Sequence, residues 1–256
     1  MQPIASPVLE LIEFTKRYED FTAVHPLSFE VNPGEIVGIV GTNGAGKTTT
    51  LRAIVGLLRP SGGCIRVAGM NPEHDPVAIK QILAYIPDNT QPFDLLTVTE
   101  HLHFTALAYR IENAEIQYDS LLEELDLSAK RHSMASSLSR GMVQKLSMAC
   151  AFLRNPEIII LDEPLTGLDP RGIRNIKSSI RRRADQGTAF LLSSHLLGLV
   201  EELCDRVLVM HEGKRISFGS LSEVRAGANL DCDAPLEEVF MAVTDDLRNT
   251  ALRESP

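Results

Sequence analysis

No stretch of this sequence is apolar for long enough to cross a bilayer. The longest apolar runs, "EIVGIVG", "MACAFL" and "IIIL", fall far short of the ~20 residues a spanning helix needs. If the protein acts at a membrane, another chain does the spanning. The N-terminal "MQPIASPVLELIEF" has no positive n-region and carries Glu10 and Glu13, so it does not read as a signal peptide. The four cysteines, Cys64, Cys150, Cys204 and Cys232, form no Cys-x-x-Cys pair. That spacing argues against a disulfide frame or a zinc site and fits a reducing cytosol. Excess positive charge is also missing: the net charge is -9, which argues against a broad footprint for nucleic acid, and no nucleic-acid partner is expected. The basic run Arg181–Arg183 reads as a solvated helix face. There is no internal repeat and no low-complexity tract.

What is present is an ordinary globular composition, 44% hydrophobic and 23% charged over 256 residues, with ample chain for a buried core. The most informative stretch is "GTNGAGKTTT". It fits G-x-x-x-x-G-K-[ST] through Gly41, Gly46, Lys47 and Thr48. Before it stands "EIVGIV", a buried strand; after it comes "TTTLRAIVGLL", with Leu51, Ile54, Val55 and Leu58 at helical spacing. Strand, loop and helix is the order a phosphate cradle requires. Glycines, among them Gly44 beside Asn43, let backbone amides turn inward, and the helix N-terminus adds partial positive charge. Lys47 would neutralise the β- and γ-phosphates, the Thr48 hydroxyl would ligate Mg²⁺, and Thr49 would donate to an α- or β-phosphate.

Hydrolysis needs an acid near the metal, and "IIILDEP", residues 158–164, supplies one. Four aliphatic residues read as a parallel strand buried on both faces. Asp162 then falls at its carboxyl end, where α/β sheets bind ligands, and is placed at Mg²⁺. Glu163 next to it would orient and polarise an attacking water.

A third stretch, "LSRGM" at residues 138–142, opens a helix just before the acidic strand. Ser139 reads as its N-cap, and Asn155-Pro156 closes it. With these motifs in this order, residues 8–242 or so resemble the nucleotide-binding subunit of an ABC transporter. The resemblance implies an α/β P-loop NTPase cassette: a mostly parallel core sheet, an N-terminal antiparallel β layer and a helical insert over about 90–155. A polar C-terminal tail would cover 243–256. It implies ATP and Mg²⁺ as ligands and two ATP molecules sandwiched between two subunits, a second copy or a paralogue. Ser139 and Gly141 of one subunit would meet the γ-phosphate held by the other. Tyr18 matches the aromatic that stacks on adenine. Asp169, in "LTGLDP", resembles the loop that touches the opposite subunit, and His195, ending "TAFLLSSH", the switch histidine at the γ-phosphate. Transmembrane permease subunits are the implied partners, with the chain on the cytoplasmic face of the cell membrane. The segment "DNTQPFDLLTV" would rim the groove that receives a permease coupling helix.

Three positions depart from the family pattern. Asp88 stands where the family most often has Gln; a carboxylate still binds a hard cation but is one methylene shorter, so Asp88 is read as a metal contact through water or as a mark of weaker ATP sensing. Arg140 replaces Gly and Met142 replaces Gln in the signature. Arg140 would add a cation near the phosphates or pair with an acid across the subunit interface. Residues 1–70 read as short antiparallel strands and residues 156–216 as alternating strands and helices. Thr97 and Glu100 form a capping box. His101 and His103, two apart, read as surface or packing residues. The end of the chain is similar to bacterial export systems with separate transmembrane subunits. A soluble ABC ATPase of an assembly or regulatory complex is the alternative.

Overall fold

The computed structural model describes residues 6–231 and 233–244. Cys232 lies outside the described residues. Of the expected tail, residues 243 and 244 continue a final helix that begins at 236, and the remainder is likewise outside them.

Two sheets organise the chain. The first is antiparallel, in the order β2-β1-β4, from β1 (Leu9–Tyr18), β2 (Phe21–Val31) and β4 (Gly62–Val67). Its strands alternate buried and exposed positions because only one face is covered. β3 (Ile36–Gly41) leaves this layer and enters the second sheet. That sheet has the order β5-β6-β7-β3-β8-β9, built from β5 (Leu83–Ile86), β6 (Ile158–Asp162), β7 (Ala189–Ser194), β8 (Arg206–His211) and β9 (Lys214–Ser220). All its pairings are parallel except β8 with β9. Every residue of β3, β6 and β7 is buried, which explains their unbroken apolar sequences.

Helices cover both faces of the second sheet. Val37, Ile39, Ile158, Ile160, Leu191 and Leu208 face a core shared with the antiparallel layer and with α1 (Lys47–Ile54) and α2 (Pro76–Ile82). Ile36, Val40, Ile86, Leu161, Leu192 and Val209 face the opposite core. That core joins the insert helices α3 (Val98–Tyr109), α4 (Glu115–Glu124) and α5 (Arg140–Leu153) to α6 (Pro170–Asp185), α7 (Leu197–Leu203) and α8 (Leu221–Gly227). The helical insert is therefore continuous with the body of the domain.

Local signals account for several boundaries. The capping box at α3 is formed: Thr97 N donates to Glu100 Oε2 at 2.7 Å and Glu100 N to Thr97 Oγ1 at 3.2 Å. His101 is buried as a packing residue. Its Nε2 accepts from Phe93 N at 3.0 Å, and its Nδ1 lies 2.8 Å from Thr97 O. α1 is shorter than its apolar spacing implies. It stops at Ile54, and the amides of Leu57 and Leu58 turn back to Arg52 O at 2.8 and 3.2 Å. No helix among the described residues is long and apolar enough to cross a membrane.

Candidate functional site: a phosphate-binding loop beside an acidic strand

The order β5-β6-β7-β3 puts the carboxyl ends of four parallel strands side by side. Each end carries a residue singled out by the sequence. The β3 end opens into the glycine loop, the β7 end leads to His195, the β6 end holds Asp162 and Glu163, and the β5 end leads to Asp88.

The loop from Gly41 to Gly46 turns into α1 through Gly46, whose φ of 94° is left-handed. A side chain there would also collide with the backbone, since an added Cβ would stand 2.7 Å from Ala23 O. Asn43 and Gly44 form the exposed crown of the loop. No side chain caps the N-terminus of α1, so the amides of its first turn, at Lys47, Thr48 and Thr49, have no side-chain acceptor. Uncapped amides with the positive end of a helix dipole are suited to a phosphate. Lys47 is buried, and its Nζ donates to Gly41 O at 2.7 Å and Thr42 O at 3.1 Å. Burial pulls its ammonium below the ordinary value, while the charges of Glu163 and Asp162 pull the other way.

Asp162 is almost fully buried at the end of β6. Its Oδ1 accepts from Thr48 Oγ1 at 3.2 Å and from Ser193 Oγ at 2.5 Å. A hydroxyl and a carboxylate at this spacing are hard oxygen donors of the kind Mg²⁺ takes, with phosphate oxygens and water completing the shell. Among the described residues no group of three or more His, Cys, Asp or Glu forms a self-sufficient metal site. The donor set thus fits an ion that arrives with phosphate oxygens.

Glu163 adopts φ 50°. Its amide is held by Ser193 O at 3.1 Å and Ser193 Oγ at 3.3 Å. Its Oε2 lies 2.8 Å from His195 Nδ1. Sequence reasoning passed over Ser193. The available signal was a hydroxyl in an otherwise aliphatic strand, and strand order alone shows what it faces, because Asp162 pairs with Ser193 in register.

The structure brings Lys47, Thr48, Asp162, Glu163 and His195 into one cluster. It does not bring Ser139 or Gly141 to them. Ser139 is exposed at the start of α5, where its Oγ accepts from Met142 N at 3.4 Å. Among the described residues no hydrogen bond or ion pair joins Ser139 to the glycine loop. Gly141 is buried against the loop after β6: an added Cβ would stand 2.8 Å from Gly167 O. Asp169 caps α6, accepting from Gly172 N at 3.0 Å, and is itself exposed. Tyr18 ends β1 half exposed, with Lys16 Nζ 4.9 Å from its ring centroid.

Two departures from the family pattern meet each other. Asp88, expected at the metal, accepts a hydrogen bond from Arg140, whose Nη2 donates to its Oδ1 at 2.8 Å. Arg140, expected near phosphates or across an interface, has its acidic partner within its own chain. On the insert, Phe93, Leu95, Phe104, Leu107 and Met134 are exposed. Phe93 packs edge-on against Phe104 with centroids 5.1 Å apart.

An α/β nucleotide-binding domain, with its phosphate loop beside an acidic strand, is the class this fold and site define. Residues 24–166 match the family model described as ABC transporter, and the chain belongs to that family of ATP-binding cassettes. It is 34% identical over 241 residues to "ABC-type transporter ATP-binding protein EcsA" of Bacillus subtilis (strain 168), covering 93% of this chain and 97% of that protein. It is 35% identical over 247 residues to "Nod factor export ATP-binding protein I" of Paraburkholderia xenovorans (strain LB400), covering 93% and 80%. Among solved structures, an ATP-binding subunit of an ABC transporter superposes with a TM-score of 0.88 at 33% identity, over 93% of this chain and 99% of that one. CbiO1 from Clostridium perfringens, part of the ABC transporter complex cbiONQ, superposes at 0.75 with 26% identity, over 86% and 91%. The chain is accordingly an ATPase cassette and an ABC transporter ATP-binding subunit.

Proposed function

We propose that this chain hydrolyses ATP in a head-to-tail pair on the inner face of the cell membrane and drives export through separate transmembrane subunits. One observation carries the reading. The phosphate loop and the acid pair form one half of a site, while the exposed Ser139 end of α5 is a second anion-suited helix terminus that, among the described residues, makes no hydrogen bond to that loop. A second subunit, identical or paralogous, would bring that terminus to the γ-phosphate, with Gly141 giving close approach and Asp169 at the seam. The similarity to a Nod factor export protein supports the direction of transport. The CbiO1 likeness supports a separate membrane partner. The exposed apolar cluster around Phe93 supports a place for that partner to dock.

Each side chain then has a task. The amides of α1 and Lys47 bind the triphosphate, and Tyr18 stacks on the adenine. Thr48 and Asp162 would hold Mg²⁺, which supplies charge neutralisation on the transferred phosphoryl group. Glu163 takes a proton from a water aligned with the γ-phosphate, and His195, hydrogen-bonded to Glu163, contacts the same phosphate. The water oxygen forms the new bond to phosphorus as the bond to ADP breaks. The 1–242 cassette works as one unit in this reading.

The test is Glu163→Gln. It keeps the shape of the side chain and removes a base, a contribution of about 10²–10⁴-fold in rate. The variant should bind ATP, pair in light scattering and barely turn over. Near-wild-type hydrolysis would remove Glu163 from its role, and a monomer under these conditions would remove the sandwich. Failure of a tagged chain to co-purify with any multi-span membrane protein would favour the soluble alternative.

A further inference from the structure

We propose that Asp88 and Arg140 are a matched positioning pair that ties the first turn of α5 to the acidic side of the site. The inference rests on the functional reading above. The geometry joins three segments through one side chain. Arg140 is the first residue of α5. Its stem lies over Gly167: a Cβ built there would stand 3.3 Å from Arg140 Cδ and 3.5 Å from Cγ. Its guanidinium continues to Asp88 Oδ1 at 2.8 Å. Gly167 lies between Glu163 and Asp169 on the loop after β6, and Asp88 lies just past β5, the strand next to β6. Gly141 packs on the same Gly167 carbonyl. The first two residues of α5 therefore rest on the loop that carries Glu163, and the ion pair closes the contact from the far side.

Charge explains why the two residues belong together. Asp88 adds a carboxylate just past the end of β5, the strand beside the one that carries Asp162, where the resemblance expects a neutral amide. Alone it would oppose an incoming triphosphate. Arg140 offsets that charge and spends its own cation on Asp88 rather than on phosphate. Each departure makes physical sense given the other. Both side chains are about half exposed, at 60% and 48%, so the coupling belongs to the modest class of solvent-screened pairs, about two- to fivefold in an equilibrium or rate. Neither residue is in the core, so substitutions should fold.

The experiment is a double-mutant cycle on the purified full-length chain. Asp88→Asn, Arg140→Gln, the double variant and Arg140→Lys are compared with wild type for ATP·Mg²⁺ binding, kcat, KM and half-saturating Mg²⁺. Each single charge removal should lower kcat about two- to fivefold and leave KM within about twofold. The double variant should be no worse than the poorer single. Arg140→Lys should retain most of the turnover, and raised salt should bring wild type toward the single variants. Losses that multiply in the double variant would overturn the pair, as would singles that turn over like wild type. A higher Mg²⁺ requirement in Asp88→Asn alone would return Asp88 to the metal and also overturn it. A wild-type chain that neither binds nor hydrolyses ATP·Mg²⁺ would sink the functional reading itself. Normal wild-type behaviour with multiplying losses would sink only the pair.

Discussion

Ser193→Ala isolates the buried hydroxyl behind the acidic strand. In the structure Ser193 is fully buried, donates to Asp162 Oδ1 at 2.5 Å and accepts from Glu163 N at 3.3 Å. A hydrogen bond to a charged group contributes about 1.5–3 kcal/mol. Water cannot readily replace it, because the position is sealed between β6 and β3. Asp162 would keep only Thr48 among these donors. If the whole loss fell on the reaction barrier, kcat would drop about 10- to 150-fold, at ~1.4 kcal/mol per factor of ten. Lys47 and the amides of α1 are untouched, so KM for ATP should change far less. The Mg²⁺ needed for half-maximal rate should rise, because a freed Asp162 carboxylate is no longer aimed. Phosphate release measured against ATP and against Mg²⁺, with a melting curve to exclude unfolding, gives the comparison. A folded Ser193→Ala protein with kcat within about twofold of wild type and an unchanged Mg²⁺ requirement would refute the argument.

Three further outcomes follow from packing and ionisation. Gly141→Ala forces a Cβ to 2.8 Å from Gly167 O; overpacking of this kind costs about 1–3 kcal/mol. That lowers Tm by ~2–12 °C for a domain of this size, and a melting point within a degree of wild type would contradict it. Burial pushes the Cys150 thiol up to about 11 and raises Cys204 further; alkylation at neutral pH should spare both until denaturant is added, as peptide mass spectrometry would read. Glu124 accepts from Arg183 through Nη1 at 2.6 Å and Nη2 at 3.1 Å. Burial raises its carboxyl, but these bonds and the charges of Arg183 and Arg182 hold it below the ordinary value of 4.5. A depressed carboxylate contributes stability above its unfolded pKa and loses it as pH falls through the folded one. Glu124→Gln should therefore melt below wild type at pH 7, and the gap should close well below about pH 4.5; a constant gap would count against the ion pair.

The features legible in the sequence share a physical origin. Parallel strands buried on both faces must be apolar throughout, so "EIVGIV", "IIIL" and "TAFLL" marked β3, β6 and β7, and the functional residues stood at the ends of those runs. Caps were readable because each involves neighbours in sequence, as at Thr97 and Glu100 or at Ser139. What escaped was non-local. Ser193 meets Asp162 because β6 and β7 are adjacent and in that register, a fact no window of sequence contains. Arg140 and Asp88 are 52 residues apart, and their meeting depends on how the insert folds back over the sheet. The burial of His101 likewise depends on the loop at Phe93 returning to α3. Spacing also overextended α1: apolar residues beyond Ile54 keep the helical period while the backbone has already turned away.

The conformation of Glu163 draws these threads into one mechanical point. At φ 50° its backbone lies in the left-handed region, which costs a non-glycine residue about 1–3 kcal/mol. Such a state persists only where surroundings over-determine it, and here both tethers come from the end of β7. Ser193 holds the Glu163 amide through its carbonyl and hydroxyl, and His195 Nδ1 holds the carboxylate. β7 is also the strand between the acidic strand and the strand that feeds the phosphate loop. The residue proposed as the base is thus positioned by neighbours on β7 rather than by its own preference. A phosphate acting on His195 would act on Glu163 through one hydrogen bond. Glu163 begins the loop that continues through Gly167 to Asp169, and α5 rests on that loop. In the proposed reading, a γ-phosphate held at His195 would be linked to the helix end that the partner subunit engages by a contiguous set of contacts, through Glu163 and Gly167.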